Sequence, residues 1–184
     1  MGEISTKEKL ILAGIEELRS YGMRGFSLRR VASSCGVSCA APYKHFAGKQ
    51  ELFSAMVAYV NDKWIEKLKT VVNYRRPVEN VIAECAVNYV SFLSDNPHFK
   101  SVLLIKQTGL DEPNASLSVG TSVPLRRLFV IYGRKHELTK DELRSRIFIV
   151  RSLVYGAAIA VGAEESRLGE RLSNLRHAVL NILK

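Results

Sequence analysis

The sequence predicts an all-α protein of about nine helices, with a small N-terminal domain of three helices and a larger helical C-terminal domain. Three observations lead to this prediction. Apolar residues recur at helical spacing, no segment shows the two-residue alternation of a strand, and capping residues precede several apolar stripes. With 184 residues, of which 47% are hydrophobic and 24% charged, the chain is long enough to bury a core.

The first predicted helix begins at a capping box and ends at a glycine. Ser5 stands at the N-cap position and Glu8 three residues later. A helical apolar stripe then covers residues 10–18. Gly22 ends the helix, and Gly25 lets the chain turn into the next segment.

Residues 26–46, FSLRRVASSCGVSCAAPYKHF, predict a helix-turn-helix. Ser27 is a suitable N-cap for a short first helix. Gly36 permits the positive φ that a tight reversal needs, and Val37 fills the turn. Ser38 can cap a second helix that runs to the end of this stretch, and the second helix of such a motif lies in a DNA major groove.

Basic residues surround this motif, and residues 18–50 contain no acidic residue. The cations in this window are Arg19, Arg24, Arg29, Arg30, Lys44 and Lys49. Such a patch is expected of a DNA-binding surface, although it can also be the solvated face of an ordinary helical hairpin. The net charge of +9 favours polyanionic partners, either nucleic acid or an anionic membrane surface.

The core of the three-helix domain is expected to contain apolar side chains from all its helices: Ile11, Ile15, Leu18, Phe26, Val31, Val37, Tyr43 and Phe46. A long helix then begins after Gly48, with Glu51 in its first turn, and runs to about Asn73. Pro77 suits the first position of the following helix, whose apolar stripe covers residues 78–93.

The rest of the chain alternates helices with breaks. Asn96–Pro97 restarts a helix, and residues 109–124 form a loop rich in serine, glycine and proline. The next helix is expected to end at Gly133. A capping box at residues 139–142 opens a long helix through Ala163 that is apolar almost all round, so most of its surface must be covered.

The last two helices predict a dimer interface. Small residues four apart on one helix let two helices approach closely, and the final helix carries apolar residues at coiled-coil spacing. A four-helix interface between two copies would use Gly156, Ala160, Leu168, Leu172, Leu175, Val179 and Ile182.

The sequence gives little support for a metal, a cofactor or catalysis. The cysteines, Cys35, Cys39 and Cys85, are odd in number and form no C-x-x-C pair, which favours a reducing compartment. Cys35 and Cys39 with His45 lack a fourth zinc ligand. No catalytic set or phosphate-binding loop stands out, so an enzyme is not predicted. The chain opens without a signal peptide and has no apolar run of about 20 residues, which predicts a cytoplasmic protein that does not enter the membrane.

The stretch FSLRRVASSCGVSCAAPYKHFAGKQEL resembles the TetR/AcrR family of bacterial transcriptional regulators, most strongly over residues 8–53. Residues that match the family pattern in register are Phe26, Ser27, Val31, Ala32, Gly36, Val37, Ser38, Tyr43, His45, Phe46, Lys49 and Leu52. The departures are Ala40–Ala41, where many members carry Gly-Thr, and Cys35, where alanine is commoner. All three are small residues, so the departures are compatible with the fold. They leave the base preference open.

This resemblance implies a homodimer whose subunits have a DNA-binding domain, residues 1–48, and an effector-binding and dimerisation domain, residues 49–184. It implies a ligand-responsive regulator, a repressor that binds a palindromic operator and is released by an unknown small molecule. A helix-turn-helix protein that acts architecturally or with a protein partner, without an effector, is the alternative.

The residues expected to contact DNA fall into two groups. Ser27 can present its hydroxyl and the helix N-terminus to a phosphate. The resemblance adds Tyr43 and His45 as phosphate contacts, and Lys49 would be a charged phosphate clamp. Base readout is assigned to side chains on or beside the second helix of the motif, the recognition helix: Arg29, Ser38, Cys39, Ala40, Ala41 and Lys44. For Arg29 and Lys44 the alternative is that the side chain is only exposed to solvent.

Candidates for an effector pocket are mostly aromatic or apolar, and ordinary core packing is the alternative for each. They are Met56, Tyr59, Trp64, Asn88, Tyr89, Phe92, Phe99, Leu103, Phe129, Tyr132 and Arg151. Asn88 can orient a ligand or be solvated. Arg151 can pair with Glu164 or Glu165 across the dimer, or meet an anionic ligand.

Overall fold

The computed structural model describes residues 4–104, 123–160 and 167–184. Within these ranges every regular element is a helix, which confirms the all-α prediction. The elements are α1 (Thr6–Gly25), α2 (Leu28–Ser34), the 3-10 segment Pro42–Lys44, α3 (Lys49–Val71), α4 (Val78–Asp95), the 3-10 segment Pro97–Leu104, α5 (Val123–Lys135), α6 (Lys140–Ala160) and α7 (Leu168–Ile182).

Contacts divide the described residues into two compact units. The first contains residues 4–62 and 98–104, and the second contains residues 63–97, 123–160 and 167–184. The division falls inside α3, so this helix contributes to both units. The functional boundary after residue 48 stays a prediction. The predicted loop at residues 109–124 lies almost entirely outside the described residues.

The first unit begins as the capping pattern predicts. The Ser5 hydroxyl accepts the backbone N–H of Glu8 at 3.2 Å. Gly22 has φ +62° and interrupts the helical dihedral angles of α1, after which the helix resumes as far as Gly25. The break predicted at Gly22 is thus confirmed. Glycine suits this position because φ near +60° is costly for residues with a Cβ.

Six of the eight predicted core residues of the first unit are buried: Ile11, Ile15, Leu18, Phe26, Val31 and Phe46. Val37 is half-buried. Tyr43 is 61% exposed, so its predicted packing in the core is wrong. Gly14 brings α1 close to α3, since a Cβ at this position would lie 3.1 Å from the Met56 sulfur.

In the second unit α4 is the central helix and contacts α5, α6 and α7. Pro77 is the N-cap of α4, one residue earlier than predicted. Gly133 does not end α5, because the helix continues to Lys135. The glycine instead makes room for a neighbour, since a Cβ there would lie 2.9 Å from Leu143. The capping box before α6 is confirmed: Thr139 and Glu142 bond reciprocally through side chain and backbone.

The apolar seam of α7 is partly covered within one chain. Leu175 is 6% exposed and Val179 is fully buried, as α7 packs on α4. These two residues, which the sequence assigned to the dimer interface, are therefore covered within their own subunit. On α6, by contrast, Phe148 is 71% exposed and Ile159 is 65% exposed. Exposed apolar surface thus remains on α6, as it does on α5 at Val130 and Ile131.

Candidate nucleic-acid interface and interior cavity

The N-terminus of α2 is arranged as the sequence predicts. Ser27 has extended dihedral angles, and its hydroxyl accepts the backbone N–H of Arg30 at 3.4 Å. The first turn of α2 contains no acidic residue. A helix N-terminus with a serine cap and no nearby carboxylate in its own turn is a suitable place for a phosphate.

An acidic residue just before the basic window organises this N-terminus. Glu17 is 7% exposed, and its carboxylate accepts the Ser27 backbone N–H at 3.0 Å and the Arg30 Nε–H at 2.9 Å. Arg30 also donates to the carbonyl of Gly25 and stacks on the Tyr21 ring, 4.1 Å from its centroid. Arg30 is therefore held in a structural ion pair that joins α1 to α2.

The sequence analysis missed this role of Glu17. The signal was present, because Glu17 lies between Ile15 and Leu18 on the helix face that the apolar stripe marks as buried. A carboxylate on a buried face needs donors. Its donors come from residues ten and thirteen positions further along the chain, which helical periodicity cannot indicate.

The six cations of residues 18–50, the basic window, differ in whether they form ion pairs. Arg19 pairs with Glu16 on α1, as Arg30 pairs with Glu17. Among the residues that the structure describes, no carboxylate pairs with the three exposed cations Arg24, Arg29 and Lys44. The charge of these three side chains therefore remains available to an anion.

The predicted recognition helix after Ser38 is not an α-helix. Residues 39–41 form a turn, followed by the 3-10 segment Pro42–Lys44. The Ala41 N–H donates to the Ser38 carbonyl at 2.9 Å, and the Lys44 N–H donates to the Ala41 carbonyl at 3.1 Å. Pro42 explains the difference, because it has no N–H for the Ser38 carbonyl that an α-helix would require.

Most of the residues assigned to base readout are nevertheless accessible. Arg29, Ser38, Cys39, Ala40 and Lys44 are exposed, and Ala41 is half-buried. Among the predicted phosphate contacts, Tyr43 is exposed and His45 is half-buried with its ring 6.3 Å from that of Phe46. Their contacts with DNA stay predictions.

Lys49 makes contacts that the sequence did not indicate. Its ammonium donates to the Met23 carbonyl at 3.0 Å and to the Phe26 carbonyl at 3.3 Å. It also lies 5.1 Å and 5.4 Å from the ring centroids of Phe26 and Phe53. Lys49 therefore ties the start of α3 to the segment before α2, and one N–H of the three remains for another acceptor.

The second unit contains an interior cavity between α3, α4, α5 and α6. Its enclosed space is about 30 Å³, and the whole gap among the lining side chains, including its mouth, is about 410 Å³. The lining residues are Trp64, Ile82, Cys85, Ala86, Tyr89, Leu125, Phe129, Val150, Arg151, Val154 and Tyr155. The structure thus brings together four predicted pocket residues: Trp64, Tyr89, Phe129 and Arg151.

The other predicted pocket residues do not line this cavity. In the first unit Met56 is buried core, and Tyr59 packs edge-on against Phe99 at 6.2 Å. In the second unit the Asn88 amide donates to the Glu84 carbonyl of its own helix. Phe92 packs behind Trp64, and the Tyr132 hydroxyl bonds to Arg146. The side chain of Leu103 lies outside the described residues.

Polar groups in the cavity are few and buried. Burial raises the pKa of Tyr89 well above its ordinary value, and burial raises the pKa of the Cys85 thiol to about 12. Both groups therefore stay protonated at neutral pH. In the described ranges no three His, Cys, Asp or Glu side chains converge as a metal site, and no helix is long and apolar enough to cross a membrane.

Comparisons with known proteins agree on one family. Residues 10–56 match the sequence model of bacterial regulatory proteins of the tetR family. The HTH-type transcriptional regulator CymR of Pseudomonas putida is 25% identical over 188 aligned positions, which cover 98% of this chain and 90% of that protein.

Solved structures show the same fold at lower identity. A TetR-like regulator from Rhodococcus sp. RHA1 superposes with a TM-score of 0.69 at 15% identity, covering 97% of this chain and 96% of the other. The regulator FadR from Bacillus subtilis, in complex with stearoyl-CoA, has a TM-score of 0.60 at 16% identity, covering 95% and 96%. The family resemblance inferred from the helix-turn-helix stretch is confirmed.

Proposed function

We propose that this chain, a member of the tetR family of bacterial regulatory proteins, is a cytoplasmic repressor that binds a palindromic operator as a homodimer. A small-molecule effector, bound in the C-terminal domain, releases the DNA. The observation that carries the proposal is the exposed set Arg24, Arg29 and Lys44, which has no ion pair within the described part of the chain, beside the serine-capped start of α2.

These side chains support DNA binding because they combine two kinds of contact. Ser27, with Tyr43, His45 and Lys49, offers phosphate contacts around the start of α2. Arg29 and Lys44 offer long cationic side chains that can reach guanine edges in the major groove. CymR, which aligns along nearly the whole chain, is a transcriptional regulator, and this favours a regulatory function over an enzymatic one.

The surface of the second unit supports a dimer. A groove of about 490 Å³ lies between α6 and α7, and Gly156 and Ala160 line it. Apart from the neighbouring residues and backbone of its own helix, no described atom would lie within 4 Å of a Cβ at Gly156. The exposed Phe148 and Ile159 lie on the same helix. A second copy packed against α6 would cover this apolar surface and place two DNA-binding domains on one palindrome.

The cavity supports regulation by a ligand. Trp64, which lines it, and Lys49, beside the DNA-binding motif, belong to the same helix α3. FadR of B. subtilis, which shares the fold, holds stearoyl-CoA. A ligand that binds better when α3 is shifted would favour a state with lower DNA affinity, and a ligand without such a preference would change nothing.

Selection of bound sequences from random DNA tests the proposal directly. The purified chain should enrich a palindrome whose half-sites lie about one helical turn apart, roughly 34–36 Å or somewhat more. A variant with Arg29 and Lys44 both changed to alanine, with its fold intact, should lose this enrichment. Enrichment of no sequence, or of a single half-site by a monomer, would contradict the proposal.

A further inference from the structure

The first turn of α1 lies against the helix-turn-helix motif. The Lys7 ammonium is 5.8 Å from the centroid of the Phe46 ring. The Lys9 carbonyl accepts a hydrogen bond from the Cys35 thiol at 3.5 Å. Burial raises the pKa of this thiol, and the nearby positive charge of Lys9 partly opposes the rise. These contacts place two lysines beside the two ends of the segment 35–46, which contains most of the residues assigned to base readout.

Both lysines carry a charge that is accessible to solvent. Lys7 and Lys9 are exposed, and neither ammonium forms an ion pair with a carboxylate of the described residues. Two carboxylates belong to the same neighbourhood. Glu8 is half-buried, and Glu51 accepts the backbone N–H of Ala47 at 2.5 Å. The two ammonium groups therefore remain available to an anion.

The basic surface of the first unit thus differs from the one that the order of residues indicates. Two cations of the basic window, Arg19 and Arg30, are held by carboxylates of α1. Lys7 and Lys9 lie outside that window, but the packing of α1 brings them to the motif. The fold exchanges two cations of the window for two from the N-terminus of α1.

We propose that Lys7 and Lys9 belong to the DNA-binding surface and contact phosphates beside the base pairs that residues 38–44 read. The assignment rests on the proposed function and adds the first turn of α1 to the operator contacts. A lysine ammonium is a point charge that binds a phosphate without a fixed orientation, and a phosphate contact carries no sequence information. The two lysines therefore add affinity that is independent of sequence and that falls as salt rises.

Binding titrations at several salt concentrations test the assignment. The chains are wild type, Lys7→Gln, Lys9→Gln and the double variant, and the probes are the selected operator and a random-sequence duplex of equal length. Each lost phosphate contact should lower the log–log slope by about 0.9 on both duplexes. Between about 50 and 200 mM salt, wild-type affinity should then fall about threefold more than that of a single variant, and about tenfold more than that of the double variant.

Arg19→Gln is the matched control, since it removes the same charge from the same helix at a residue that is paired with Glu16. Its salt slope should equal that of the wild-type chain. Lys7→Arg and Lys9→Arg keep the charge and should also keep the slope. All these variants should unfold near the wild-type temperature, because the substituted side chains are exposed.

Operators in which single phosphates are replaced by neutral methylphosphonates locate the contacts. At one or two positions of each half-site, neutralisation should weaken binding of the wild-type chain but not of the double variant. At the other contacted phosphates it should weaken both chains alike. Such a pattern assigns the two lysines to particular phosphates, whereas a general effect of net charge would weaken binding without any such position.

The outcomes separate this assignment from the proposed function. An unchanged slope in the double variant, an equal decrease in Arg19→Gln, or the same methylphosphonate profile for both chains overturns the assignment. If the wild-type chain selects no operator but shows the lysine-dependent slope on random-sequence DNA, the assignment is supported and the repressor function is contradicted. An operator that both chains bind with one slope gives the opposite result.

Discussion

The Glu17 carboxylate accepts hydrogen bonds from the Arg30 guanidinium and, at 3.0 Å, from the backbone N–H of Ser27. One buried carboxylate thus neutralises a cation of the basic window and fixes the residue that caps α2. The geometry of the start of α2, where we propose a phosphate contact, therefore depends on a buried residue of α1.

Glu17→Ala should destabilise the first unit by about 1–3 kcal/mol, because the Ser27 N–H loses its acceptor. Operator affinity should fall with it, since the start of α2 is no longer held. The neighbouring Glu16→Ala is the control: it breaks exposed contacts with Arg19 and Ser20 on the same helix and should leave the unfolding temperature unchanged. Equal effects of the two variants in thermal unfolding would contradict a special role for Glu17.

Lys49→Met should have two separable effects. Loss of the bonds to the Met23 and Phe26 carbonyls should lower the unfolding temperature. Loss of a phosphate contact should flatten the salt dependence of DNA binding by about one unit of log–log slope, similarly on all sequences. Binding titrations at several salt concentrations measure the second effect. A lower unfolding temperature with an unchanged slope would assign Lys49 to structure alone.

Lys44→Ala should change which operators the protein prefers. Lys44 is exposed at the end of the 3-10 segment, and each lost base contact is expected to cost ~1–3 kcal/mol at operators that carry the contacted base. Sequencing of DNA selected by the variant should show relaxed preference at one position of each half-site. If all operators weaken alike, Lys44 contacts phosphate rather than base.

Acid should remove a contribution of Glu79 to the stability of the second unit. Partial burial would raise the pKa of Glu79, but hydrogen bonds from His136 at 2.6 Å and Lys135 at 2.8 Å lower it to about 2. Because this pKa is lower in the folded than in the unfolded chain, the stabilisation is present above about pH 5 and is lost as pH falls toward 2.

Glu79→Gln should therefore lower the free energy of unfolding at pH 7 by on the order of 2 kcal/mol. This value is smaller than the pKa shift alone would give, because solvent weakens the ion pair with the half-exposed Lys135. The difference from the wild-type chain should shrink between about pH 5 and pH 2. Denaturant unfolding across this range measures it. Glu66→Gln, at an exposed carboxylate on α3, is the control, and a pH-independent deficit in Glu79→Gln would refute the linkage.

If the proposed dimer uses α6, Ile159→Glu should give a monomer that remains folded. Ile159 is 65% exposed within one chain, so a charge there costs the subunit little but would be buried in an interface on α6. Ile131→Glu on α5, at a residue 41% exposed, is the control and should remain dimeric. Sedimentation at micromolar concentration decides. Leu175 is unsuitable for this test, because it is buried within the subunit and its substitution would unfold the chain.

The sequence by itself determined the local features of this protein. Caps and turns depend on residues only a few positions apart. The structure shows the predicted caps at Ser27 and Thr139 and a positive φ at Gly22 and Gly36. The pattern around the helix-turn-helix was enough to predict the similarity to the tetR family, whose sequence model matches residues 10–56. The 3-10 form of residues 42–44 also has a local cause, since Pro42 has no N–H to donate. The prediction of a helix after Ser38 overlooked this missing donor.

Only the tertiary structure decided which residues meet. Charge counting placed Arg30 among the DNA-facing cations, while a carboxylate thirteen positions away holds it in an ion pair. The apolar residues of α7 were predicted to be buried in a dimer interface. Their spacing shows that one face of the helix is apolar, but it does not show whether α4 or a second copy covers that face. The cavity likewise joins Trp64 to Arg151, far apart in the chain. Hydrophobic burial is non-directional, so a pattern predicts that a face is buried without naming its partner.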